Sequence, residues 1–112
     1  MSPVIGLHHI TAISASAQGN VDFFGKLLGL RLVKKTVNFD DPGTYHLYFA
    51  DRVGTPGSVL TFFPWAGVPK GIAGTGETGL THFAVAPGTL DFWRDRLRAA
   101  GVAPVVDETI FG

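Results

Sequence analysis

Apolar and polar positions fall into short blocks along the first sixty or so residues, and turn residues separate the blocks. Leu7-His8-His9-Ile10-Thr11-Ala12-Ile13 is rich in β-branched residues, with Gly6 before it and small, polar residues from Ser14 to Gly19 after it. That pattern predicts a strand entering a loop. Apolar residues at 21, 24, 27 and 28 then follow helical spacing, with Asn20 placed as N-cap and Gly29 as the stop. Three more strands are predicted at Leu30 to Phe39, Thr44 to Ala50 and Ser58 to Pro64. They are separated by the turn sequences Asp40-Asp41-Pro42-Gly43 and Gly54-Thr55-Pro56-Gly57. The order strand, helix, then three strands predicts an α+β fold, a βαβββ module over residues 1–66.

A glycine-rich stretch with Pro69 reads as a linker over 67–79, and the pattern then starts again. Leu80-Thr81-His82-Phe83-Ala84-Val85 echoes Leu7-His8-His9-Ile10-Thr11-Ala12, with histidine third in both. Leu90-Asp91-Phe92-Trp93 echoes Val21-Asp22-Phe23-Phe24, and Gly101-Val102 echoes Gly29-Leu30. Three matched blocks in one order indicate a repeat. Residues 80–112 are therefore expected to be the truncated start of a second module, strand, helix and strand, broken off near Val105 to Gly112.

Composition narrows the function classes. The chain has 112 residues, is 46% hydrophobic and holds nine Phe, enough apolar mass for a core. Nine basic residues balance nine acidic ones, which argues against a nucleic-acid surface. No apolar run is long enough to span a bilayer, and the N-terminus lacks a signal-peptide pattern. With no cysteine there is no disulfide, thiolate ligand or thiol nucleophile. A cytoplasmic protein with a small-molecule partner is the expectation.

The histidines carry the candidate chemistry. On a strand, His8 and His9 would face opposite sides, so they would not readily bind one ion; His9 would share a face with Leu7, Thr11 and Ile13. His8 would lie on the other face or reach round to support its neighbour. Each imidazole is a borderline metal ligand or a buried histidine satisfied by a carbonyl. His46 and Tyr48 alternate with Tyr45, Leu47 and Phe49, so they would line a pocket wall or a half-exposed strand face. His82 repeats the position of His9. Two phosphate-binding patterns fail. Gly74-Thr75-Gly76-Glu77-Thr78-Gly79 precedes a strand instead of opening a helix, and Gly71 to Thr78 has Glu77 where a lysine is needed. Arg31, Lys34 and Lys35 read as a charged strand edge that blocks aggregation.

Leu7-His8-His9-Ile10-Thr11, Gln18 to Phe24, and Tyr45-His46-Leu47-Tyr48-Phe49-Ala50-Asp51 with Gly54-Thr55-Pro56-Gly57 together resemble the vicinal oxygen chelate superfamily. Within it they look like ring-cleaving dioxygenases of the hydroquinone and chlorohydroquinone type. The resemblance runs over nearly the whole chain and implies an N-terminal portion of a longer enzyme. It implies Fe(II), or Mn(II), held by two histidines and one glutamate, with an aromatic diol and O2 as substrates. Position by position, His9 matches the first metal histidine and His8 a histidine that assists proton transfer. The other ligands are expected beyond Gly112; if the face of His46 and Tyr48 is a pocket wall, those two residues are expected to bind substrate. In glyoxalase-like isomerases and lyases of the superfamily, His82 would be a ligand too. A drug-sequestering binding module, with a cleft of Phe39, Tyr48, Phe62 and Trp65, is the non-catalytic alternative. An unfinished sheet also leaves an open edge, so a homodimer or self-pairing of modules is expected.

Overall fold

The computed structural model describes residues 2–103. The chain divides into two compact units, the first ending at Lys70 and the second beginning at Gly71. In the first unit the strands are β1 (His9–Ser14), β2 (Arg31–Val37), β3 (Tyr45–Ala50) and β4 (Val59–Pro64). Helix α1 lies between β1 and β2. Its first turn, Ala17–Asn20, is α-helical and its remainder, Val21–Leu27, is π-helical.

The strands form one sheet in the order β1-β4-β3-β2. β4 pairs antiparallel with β3 and parallel with β1, so the chain ends this unit beside the strand on which it began. β1 and β2 are the edges. Arg31, Lys34 and Lys35 lie on β2, the edge where charge was expected, and charge there discourages pairing with a further strand.

Strand alternation sorts the sheet into two faces. Leu47 and Phe49 from β3, with Leu60 and Phe62 from β4, form the buried core, and Ala12, Ala17, Val21, Phe24 and Leu30 pack against it. The Phe24 ring centroid is 4.7 Å from that of Phe62 and 6.0 Å from that of Phe49. Helix α1 thus covers one face. Burying Leu47, Phe49, Leu60 and Phe62 contributes about 1.5–3 kcal/mol each, and Phe49 is fully buried.

The helix starts earlier than the apolar spacing implies. Ser16, not Asn20, is the N-cap, and its Oγ accepts a hydrogen bond from Gly19 N at 3.0 Å. The small residues before Asn20, read as loop, already belong to the first turn because a serine at the cap satisfies an orphan amide. Gly29 ends the helix as expected, at φ 76°, where a side chain would be strained.

In the second unit α2 spans Leu90–Ala99. It ends at Gly101 (φ 78°), and Val102 N donates to Leu97 O at 2.9 Å, which closes the last turn. Residues 80–85, expected as a strand, form neither helix nor strand. A strand exists only with a neighbour to pair its amides, and no strand of the second unit occurs among the described residues. The strand expected from Val105 onward lies outside them. Among the described residues no helix is long and apolar enough to cross a membrane.

Truncating Phe49 to Ala removes the centre of the core and should cost about 3–5 kcal/mol. Urea unfolding of the Phe49→Ala variant checks this; a loss under about 1 kcal/mol would contradict the placement of the core.

Candidate functional site

The face of the sheet opposite α1 carries polar residues in a row. The register sets Thr11 beside Thr61, and Thr61 in turn beside Tyr48. Their hydroxyls and the His46 ring form one hydrogen-bonded line. Thr11 Oγ1 lies 2.7 Å from Thr61 Oγ1, Thr61 Oγ1 3.0 Å from His46 Nε2, and His46 Nδ1 2.8 Å from Tyr48 Oη. The His46 ring stacks on Phe63 at 4.1 Å between centroids and lies 4.2 Å from Tyr48. Thr61 is fully buried. Burial first, and then the charges of His9 and Lys34, hold the His46 imidazole below its ordinary pKa, so its neutral form is favoured.

His9 begins β1 on this same face, with Thr11 and Ile13. His8 departs from the alternation argument. It precedes the strand, so no pleat directs it away, and its Nδ1 lies 3.1 Å from His9 Nδ1 with the two rings edge to face. One of the two Nδ1 atoms must carry the proton.

The histidine pair is fixed from the β3–β4 turn. Gly57 N donates to His8 O at 2.7 Å. Gly57 has φ 92°, and a Cβ there would meet Leu7 O at 3.4 Å, so the position requires glycine. The turn is organised by Asp51, whose Oδ1 accepts from Val53 N at 3.1 Å and Thr55 N at 2.9 Å. A hydrogen bond from the Thr55 side chain, followed by those from the backbone amides, holds the Asp51 carboxyl down at about 2. Ser58 Oγ donates to Thr55 O at 2.7 Å and completes the loop.

The chemistry of the histidine pair is compatible with one ligand of a metal centre. If His9 Nδ1–H donates to His8 Nδ1, the lone pair of His9 Nε2 is free for a cation and the supporting bond fixes that tautomer. Among the described residues no group of three or more His, Asp or Glu is placed to hold a metal ion. His82 is exposed in the second unit, in a segment with no regular structure. The apolar cleft of Phe39, Tyr48, Phe62 and Trp65 does not form. Phe62 is buried on the α1 face, Tyr48 lies on the opposite face, and Phe39 is 93% exposed. The motifs gave Thr11 and Gly57 no role of their own and did not include Thr61; the period-2 pattern of β1 and β4 was the available signal for the two threonines.

Comparison with known proteins places this geometry. The family described as the Glyoxalase/Bleomycin resistance protein/Dioxygenase superfamily matches residues 6–109. The chain belongs to this superfamily. Over 98 residues it is 55% identical to MhqO of Bacillus subtilis (strain 168), provisionally named a ring-cleaving dioxygenase, covering 88% of this chain and 31% of that protein. It is 45% identical over 107 residues to the chlorohydroquinone/hydroquinone 1,2-dioxygenase of Sphingobium indicum, covering 91% of this chain and 33% of that one. A crystal structure of a provisionally named dioxygenase from Bacillus subtilis superposes with a TM-score of 0.91 at 53% identity, over 96% of this chain and 34% of that chain. The chain spans about a third of the length of the curated relatives it matches.

The turn that holds the histidines yields a pH prediction. Asp51 binds its proton more weakly folded than unfolded, so it stabilises the fold above its ordinary value of 3.8 and loses that contribution as pH falls through about 2. Urea unfolding at a series of acid pH values should show the stability gap between wild type and Asp51→Asn closing over that window. A gap that stays constant down to the lower end would contradict the role given to Asp51.

Proposed function

We propose that this chain is the opening module of an Fe(II)-dependent dioxygenase that cleaves the ring of hydroquinone or a related aromatic diol. The observation that carries the reading is the His8–His9 pair at the rim of the polar sheet face, on a chain so similar to a hydroquinone 1,2-dioxygenase. In the proposed reaction the bond between a hydroxyl-bearing carbon and its ring neighbour breaks, and both atoms of O2 are retained in the ring-opened product.

His9 Nε2 is the ligand atom this module contributes. Fe(II), or Mn(II), when bound supplies the one-electron chemistry with O2 that side chains lack. His8 accepts the His9 proton at Nδ1 and so carries its own proton on Nε2, where it can exchange a proton with a substrate hydroxyl. His46 and Tyr48 lie on the same face and form the wall on the substrate side. The remaining ligands come from residues outside this chain, by pairing of modules in one protein or between copies, in the cytoplasm.

Oxygen uptake and the absorbance of the ring-opened product, recorded with Fe(II) and hydroquinone under air, test the proposal. The parent protein should turn over, its His9→Ala variant should not, and residues 1–112 alone should form no product. Turnover by the isolated chain or by His9→Ala would overturn the proposal.

A further inference from the structure

The hydrogen-bonded line across the sheet has two possible directions. A neutral imidazole donates from one nitrogen and accepts at the other, so the proton on His46 sets the orientation of every hydroxyl in the row. With the proton on Nδ1, His46 donates to the Tyr48 oxygen, Thr61 donates to His46 Nε2, and Thr11 donates inward to Thr61. With the proton on Nε2, every bond reverses.

Two considerations favour the second arrangement. A phenol is a good donor and a poor acceptor, because its oxygen lone pair is delocalised into the ring, whereas an imidazole nitrogen is a strong acceptor. Lys34 Nζ lies 5.2 Å from the centroid of the Tyr48 ring, and its positive charge further favours the phenol as donor. Thr61 is fully buried between its two partners and accepts one bond and donates the other in either direction, so it keeps the line continuous while the tyrosine end sets its direction.

We infer that Tyr48, His46 and Thr61 form a directed line that turns the Thr11 hydroxyl proton outward beside His9. In it Tyr48 Oη–H donates to His46 Nδ1, His46 Nε2–H to Thr61 Oγ1, and Thr61 Oγ1–H to Thr11 Oγ1. Thr11 then has no inward acceptor to satisfy and presents its proton to an oxygen on the open face. Each bond in such a chain polarises the next. His46 and Tyr48 are positioning residues here, acting on the substrate through Thr61 and Thr11. The inference about what Thr11 meets rests on the proposed diol reading; the direction of the line does not.

The test therefore has two arms. Long-range 1H–15N correlation spectra of the 15N-labelled chain at neutral pH report the His46 tautomer. The expected result is a protonated Nε2 and an unprotonated Nδ1, with the Nδ1–H form gaining population in Tyr48→Phe. A protonated Nδ1 in wild type, or a tautomer unmoved by Tyr48→Phe, overturns the direction. In the second arm the parent protein's diol turnover is compared among wild type, Thr61→Val and Thr61→Ser. The isosteric Thr61→Val variant should lose about tenfold in kcat with KM little changed, and Thr61→Ser, which keeps the hydroxyl, should restore most of it. Equal kcat in the two variants overturns the coupling to Thr11. A parent protein with no diol turnover defeats the functional reading instead, and the tautomer then decides the direction of the line on its own.

Discussion

The parallel pairing of β4 with β1 is the constraint on which the rest of the first unit depends. It brings the last strand back beside the first after the chain has crossed helix α1 and the β2–β3 hairpin, and it sets Thr61 against Thr11. It also brings the turn before β4 up to the start of β1, where Gly57 N holds the His8 carbonyl. Without that pairing β4 would be held by β3 alone, Ala12 would lose its place against the core, and the histidine pair would lose its anchor. One piece of strand pairing thus supports both packing and candidate chemistry.

The sheet divides those tasks between its faces. Successive residues on a strand point to opposite sides, so Leu60 and Phe62 enter the core while Thr61 between them enters the polar line. Leu47 and Phe49 flank Tyr48 in the same way. The polar row is affordable because its members satisfy one another: each buried donor or acceptor left unpaired would cost about 1–3 kcal/mol.

Much of this was legible in the chain itself. Strand alternation and two strong turn sequences located all four strands of the first unit to within one or two residues, and Gly29 marked the end of the helix. The sharing of a face by His46 and Tyr48, and by His9, Thr11 and Ile13, followed from the same alternation. What was not legible depended on tertiary partners. The start of α1 turned on a serine cap within a run of small residues. His8 escaped the alternation rule because β1 begins one residue later. Gly54 to Gly57 was readable as a turn, but not as the clamp on a backbone carbonyl nearly fifty residues earlier. The echo of the first strand at Leu80 to Val85 was a real likeness in residues, yet a strand takes shape only against a neighbour. Thr61 gave no motif signal, since a single threonine in an apolar strand matters only through what lies across from it.

Superfamily membership rests on the match over residues 6–109; in the proposed reading the histidine pair contributes one ligand, with a neighbour that fixes its tautomer. The central proposal is that His9, and not its echo His82, is the metal histidine of this chain. Metal analysis of the purified parent protein loaded with Fe(II), as wild type, His9→Ala and His82→Ala, tests it most directly. Wild type and His82→Ala should retain iron while His9→Ala loses it; iron lost from both variants, or absent from wild type, would contradict the account.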